Sequence, residues 1–133
     1  MAAIEIFNPP TLGTPLGQYS QVARVKASEY LFIAGQVGAH RDGSIADGFD
    51  AQCEQTFENI RLALESCGAG WANVVQFTTY LVHSQEIPLF MNYRLRRFPT
   101  FFPNGIYPPN TLLIIDRLVK ESLLFEVHTV AAL

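Results

Sequence analysis

Charge is the first thing this sequence has little of. Asp, Glu, Lys and Arg make up 16% of its 133 residues, and the net charge is −3. Without a positive excess there is no field to gather a polyanion, so nucleic-acid binding is not expected. The one dense basic cluster, Arg94, Arg96 and Arg97, is too short to reverse that. Cysteine is scarce as well. Cys53 and Cys67 both fall in a predicted helix, where they lie roughly 21 Å apart along the axis, too far to bridge, and they are read as reduced core residues. No apolar run reaches membrane-spanning length, and MAAIEIFNPP has no basic segment leading into an apolar block. A cytoplasmic protein without a membrane partner is therefore expected. His40, His83 and His128 sit in separate segments, no glycine-rich loop opens a helix, and neither a metal nor any other cofactor is expected. There is no internal repeat, and residues 1–133 are read as a single domain.

What is there is apolar. Hydrophobic residues reach 49%, enough to place some apolar surface at an interface and to predict a homo-oligomer. Ala3 to Phe7 is a strand stopped by Asn8-Pro9-Pro10. An irregular loop then delivers Tyr19-Ser20 to a strand from Gln21 to Lys26. Ala27-Ser28-Glu29 turns the chain into Tyr30 to Gln36, and these two strands are expected to pair as a hairpin. In Leu31–Gly38, LFIAGQVG, the run changes character at Gly35, where a backbone without a Cβ can lie close to a ligand or another chain. Ala39 to Gly48 is a loop. Cys53, Phe57, Ile60, Leu64 and Cys67 step by four, three, four and three, one helical face ended by Gly68.

Asn73 to Val82 reads as a central strand covered on both faces. Ser84 can cap a second helix on which Ile87, Met91, Leu95 and Phe98 share a face, with Pro88 tolerated in the first turn. Arg94, Arg96 and Arg97 occupy its last turn, where positive charge suits the dipole. FPTFFPNGIYPP from Phe98 is an aromatic loop expected to pack against a neighbouring subunit. Asn110 to Asp116 and Leu123 to Ala131 are the last strands, the latter placing Phe125, Val127 and Thr129 on one face and Glu126, His128 and Val130 on the other. The order is βββαβαββ, an α+β fold with two helices on one face of one mixed sheet.

Taken together, GQYSQVARV from Gly17, LFIAGQVG from Leu31, CGAGWANVVQFTTYL from Cys67, MNYRLRRFP from Met91 and FEVHTVA from Phe125 give a chain that resembles the Rid/YjgF family of reactive-intermediate deaminases, whose older label is L-PSP endoribonuclease. The resemblance implies a chorismate-mutase-like fold and a homotrimer whose sheets form an inner barrel, with ligand clefts at the subunit interfaces. It also implies a hydrolase in which water attacks an enamine or imine, releasing ammonia and a keto compound. Tyr19 then matches the family's cleft tyrosine, Ala34 and Gly35 the floor, and Asn92 a helix asparagine near the cleft. The deaminating members carry an arginine where this chain has Asn110, and a small residue or cysteine where it has Leu112. Their water-holding acid aligns with His128, and Glu126 faces the same side.

Deamination needs a carboxylate anchor, a polarised water and acid/base help at nitrogen. Asn110 offers a neutral donor in place of a bidentate fork; alternatively it only shapes the PPNT turn. Losing the fork points to a larger or less anionic substrate, with Tyr107, Leu112 and the aromatic loop favouring apolar contacts. Glu126 and His128 form a general acid/base pair, or else are ordinary polar residues on the wetter face of an edge strand. Tyr19 orients substrate or fills the interface. The three arginines are read as a solvated helix end, one of them able to reach the cleft as a substitute anchor. The expectation is a Rid-like hydrolase of altered specificity; the alternative is a non-catalytic protein holding a small metabolite in the same cleft.

Overall fold

The computed structural model describes residues 1–133. The elements are β1 (Ala3–Phe7), β2 (Val22–Lys26), β3 (Tyr30–Val37), α1 (Phe49–Ser66), β4 (Val74–Leu81), α2 (Ile87–Phe101), β5 (Asn110–Ile114) and β6 (Phe125–Ala132). This is the expected βββαβαββ order. Four strands form a mixed sheet, β3-β6-β4-β5, in which only β4 and β5 run parallel. A parallel pair needs a long crossover, and α2 supplies it. Both helices cover the face that carries Phe77, Leu81, Phe125 and Val127.

The α+β class and the two-helix layer stand, but the sheet is divided. β1 and β2 pair antiparallel as a separate ribbon, from Ala3 opposite Lys26 to Phe7 opposite Val22. The expected β2–β3 hairpin does not form. The backbone N–H groups of Ser28 and Glu29 donate to the Leu133 carbonyl, and Leu133 N–H donates back to Glu29. Ala27-Ser28-Glu29 is thus tied to the end of β6, and β3 is handed to β6 instead.

α1 buries Phe49, Cys53, Phe57, Ile60 and Leu64. It ends at Gly68, whose φ of +70° favours a residue without a Cβ and lets Ala69 N–H reach the Leu64 carbonyl at 2.9 Å. Cys67 lies just past the helix and is exposed, so only Cys53 is a core cysteine. Two side chains fix α1 to its surroundings. Asn59 Nδ2 donates to the carbonyls of Val37 and Ala39 at 3.0 and 2.9 Å. Gln52 donates to the Ser122 carbonyl and accepts from Leu124 N–H, both at 2.9 Å.

α2 is rotated from the expected phase. It buries Phe90, Tyr93, Arg94 and Phe98 and leaves Leu95 60% exposed, because the aromatic stripe removes more apolar area from water than the aliphatic one. The helix also runs through Pro99 to Phe101, so the aromatic loop begins later than expected. Within the chain its rings pack inward. Trp71 stacks on Phe101 at 4.5 Å, Tyr107 packs on Phe98 and Phe102 at 6.1 Å each, and Phe57 meets Phe77, Tyr93, Phe98 and Phe125 within 5.9 Å. The opposite face of the sheet has no layer of its own, and Phe32 is 75% exposed there.

Candidate functional site

At the β5 edge of the sheet, β5, α2 and the loop before β2 enclose a cavity of about 340 Å³. Leu16 and Tyr19 come from the loop, Ile87, Met91 and Arg94 from α2, and Asn110 and Leu112 from β5. A bridge between Ser20 and Pro109 holds the loop beside the start of β5. Within the loop, Tyr19 N–H bonds the Gly17 carbonyl at 2.9 Å, and the Tyr19 hydroxyl accepts from Leu16 N–H at 3.2 Å. A Cβ on Gly17 would lie 2.7 Å from Met91 Cε and 3.0 Å from Arg94 Nη2, so the loop lies close against the side chains of α2, and a larger residue there would have to displace the Met91 tip. Another apolar cavity, beside Trp71 and Ile106, is lined by no titratable group.

Arg94 is the residue that sequence reasoning placed least well. It is 3% exposed, not a solvated helix end. Its neighbours Arg96 and Arg97 take the carboxylates of Asp50 and Glu54 on α1, each at 2.8 Å. Arg94 turns the other way, its guanidinium 4.5 Å from the Phe90 ring centre and 5.7 Å from that of Tyr19. The Asn110 amide bridges it to the sheet: Oδ1 accepts from Arg94 Nη1 at 3.0 Å while Nδ2 donates to Phe77 O at 3.2 Å and reaches Thr79 Oγ1 at 2.7 Å. Burial pushes Arg94 down to about 10, with Tyr19 opposing the shift, so it remains a cation at neutral pH. A signal was present in the sequence: Asp50 and Glu54, one turn apart, offer two carboxylates to three arginines.

The remaining expected site residues lie elsewhere. Register places Asn110 opposite Phe77, which in turn faces Thr129, so Asn110 shares the helix-covered face. Glu126 and His128 point to the other face, opposite Tyr80 and Thr78, and within one chain they do not meet the cavity. β6 is a central strand, not the edge strand of the plainer reading. Burial raises the Glu126 carboxyl, with His128 opposing. Gly35 does lie close to something, but the something is Glu126: a Cβ there would fall 2.5 Å from its Oε2. The β3–β6 register shifts between Ile33 and Gln36, which puts Ala34 and Gly35 at an irregularity beside that carboxylate. Asn92 is exposed on α2 and does not line the cavity. Tyr107 belongs to the aromatic cluster rather than to the site. No group of three His, Cys, Asp or Glu side chains is placed to hold a metal ion.

Residues 11–133 match the family described as Endoribonuclease L-PSP. The chain belongs to this family, the Rid proteins. A RutC family protein of Pyrococcus horikoshii is 41% identical over 119 residues, covering 88% of each chain. A 2-iminobutanoate/2-iminopropanoate deaminase of Dermatophagoides farinae is 27% identical over 105 residues, covering 77% of this chain and 80% of that protein. Among solved structures, a Rid-family protein of unknown function from Yersinia pestis superposes with a TM-score of 0.86 at 27% identity, covering 98% of both chains. The divided sheet and two-helix layer are thus a Rid fold. No helix is long and apolar enough to cross a membrane.

Proposed function

We propose that this Rid chain hydrolyses reactive imines or enamines to a keto compound and ammonia, in clefts formed between copies of a homotrimer. One observation carries the reading: the sheet bears two incomplete half-sites on opposite faces. At the β5 edge are a cation and an apolar cavity without an acid or base; on the uncovered face are a carboxylate and a histidine without a cavity. A closed ring of copies that sets one copy's edge against the next copy's open face would complete each with the other.

In the completed cleft, Glu126 accepts a proton from water as the water oxygen bonds to the imine carbon and the C=N electron pair moves to nitrogen. That proton is then returned to nitrogen to give a carbinolamine; Glu126 next takes the proton of the new hydroxyl and passes it to nitrogen, so that the carbonyl forms as the C–N bond breaks and ammonia leaves. A carboxyl raised by burial is better matched to both halves of this shuttle than an ordinary one, and His128 stands two residues along on the same face of β6. The family's label names a nuclease, but Arg96 and Arg97 are neutralised by α1 and Arg94 is buried, which leaves no basic track for RNA.

The test is ammonia release from imines generated by an amino-acid oxidase acting on a range of amino acids. Acceleration is expected, and Glu126→Gln should lower kcat by about a hundredfold or more. Full activity in Glu126→Gln would refute the assignment of the base. No acceleration for any imine would favour the second reading, a non-catalytic metabolite-binding protein, which Asn110 in place of the deaminating members' arginine supports.

A further inference from the structure

Arg94 is the only charged side chain among the buried residues, and nothing in the chain balances it. Five of the six other arginines are ion-paired. Arg94 has one neutral amide, the weakly accepting Met91 sulfur at 3.0 Å and two ring faces, and its Nε is buried without a partner. A buried cation left this way is costly, and proteins retain such a group where an anion completes it.

We propose that Arg94 is a carboxylate anchor: the cavity at the β5 edge takes a small monocarboxylate with an apolar tail, the guanidinium binding the carboxylate and Leu16, Ile87, Met91 and Leu112 holding the tail. Asn110 is then a positioning residue. Its amide, held by Phe77 and Thr79, keeps the guanidinium plane turned toward the cavity. Aliphatic walls on both sides favour branched or unbranched hydrocarbon tails over polar ones, and a second anionic group would find no cation. The arginine missing at Asn110 is on this account not lost but supplied from α2. The inference names the substrate class for the proposed hydrolase and rests on the same cavity.

The probes are the stable keto acids of leucine and of alanine and the methyl ester of the former, titrated into the intact protein by NMR or calorimetry. Saturable binding of the leucine keto acid is expected, with the ester about ten- to a hundredfold weaker, and with Arg94→Met losing the acid's advantage while Arg94→Lys keeps part of it. Equal binding of acid and ester, or no binding of either keto acid, overturns the proposal. If Arg94→Met does not fold, the acid–ester comparison on the unaltered protein decides alone. Acid binding without imine hydrolysis removes the hydrolase reading and leaves the anchor. Hydrolysis of imino esters as fast as imino acids removes the anchor and leaves the hydrolase.

Discussion

Gly35 and Gly38 are three residues apart, and each is crowded by a different kind of atom. A Cβ on Gly35 would meet the far end of the Glu126 side chain, whereas one on Gly38 would lie 2.6 Å from the Cα of Gln52. A side-chain carboxylate can swing aside; a helix backbone cannot without moving α1. Gly38→Ala should therefore cost about 1–3 kcal/mol in urea unfolding. Gly35→Ala should change stability by no more than about 0.5 kcal/mol and yet displace Glu126, lowering kcat in the imine assay. Equal stability losses would contradict this contrast.

The Glu126 carboxyl is raised by burial, so its ionised form is the one that folding disfavours. Glu126→Gln should accordingly stabilise the protein at neutral pH. The gain should fade as the pH falls below the ordinary carboxylate range, where both states are protonated. Glu54 has the opposite sign. Burial pushes it up, but hydrogen bonds from Arg97 and Tyr93 outweigh that and hold it low. Its contribution is present above the unfolded carboxylate pKa and is lost as the pH falls through the depressed folded value. Thermal melts of Glu126→Gln and Glu54→Gln across pH would read the two slopes.

At the scale of elements, α2 shows what periodicity leaves undecided. Two stripes that share Phe98 are apolar enough to face a core: Ile87, Met91 and Leu95 on one side, Phe90 and Tyr93 on the other. Spacing alone cannot choose between them, and the larger rings win. Phe90→Ala should cost about 3–5 kcal/mol, while Leu95→Gln should stay within about 0.5 kcal/mol; a large loss at Leu95 would restore the other phase. β6 was legible because its two faces meet different media, giving a clean alternation from Phe125 to Val130. The ends of β1, β4 and α1 were legible for similar reasons, from Asn8-Pro9-Pro10, the β-branched run and Gly68. Strand partners were not, since β2 and β3 are neighbours in sequence and only the ties to Leu133 send them apart. The site was legible in part. Tyr19, Asn110 and Leu112, singled out through the family resemblance, line one cavity, but a buried arginine looks like any other charged residue in a basic run, and face parity separates Glu126 and His128 from the cavity.

At the scale of the whole molecule, the uncovered sheet face and the β5 edge have opposite deficits, and assembly is the remedy proposed for both. Phe32 stands on that open face, so Phe32→Asp should turn the proposed trimer into monomers in sedimentation and abolish the proposed imine hydrolysis together with it. Activity in a monomeric Phe32→Asp protein would show that one chain suffices. The single tryptophan adds a practical consequence. Trp71 is stacked into the Phe101 cluster and does not line the Arg94 cavity. Its fluorescence is a built-in gauge of whether the aromatic cluster is intact and a blind one for ligand in the cavity, so optical unfolding curves can be recorded in the presence of any keto acid without the two signals mixing.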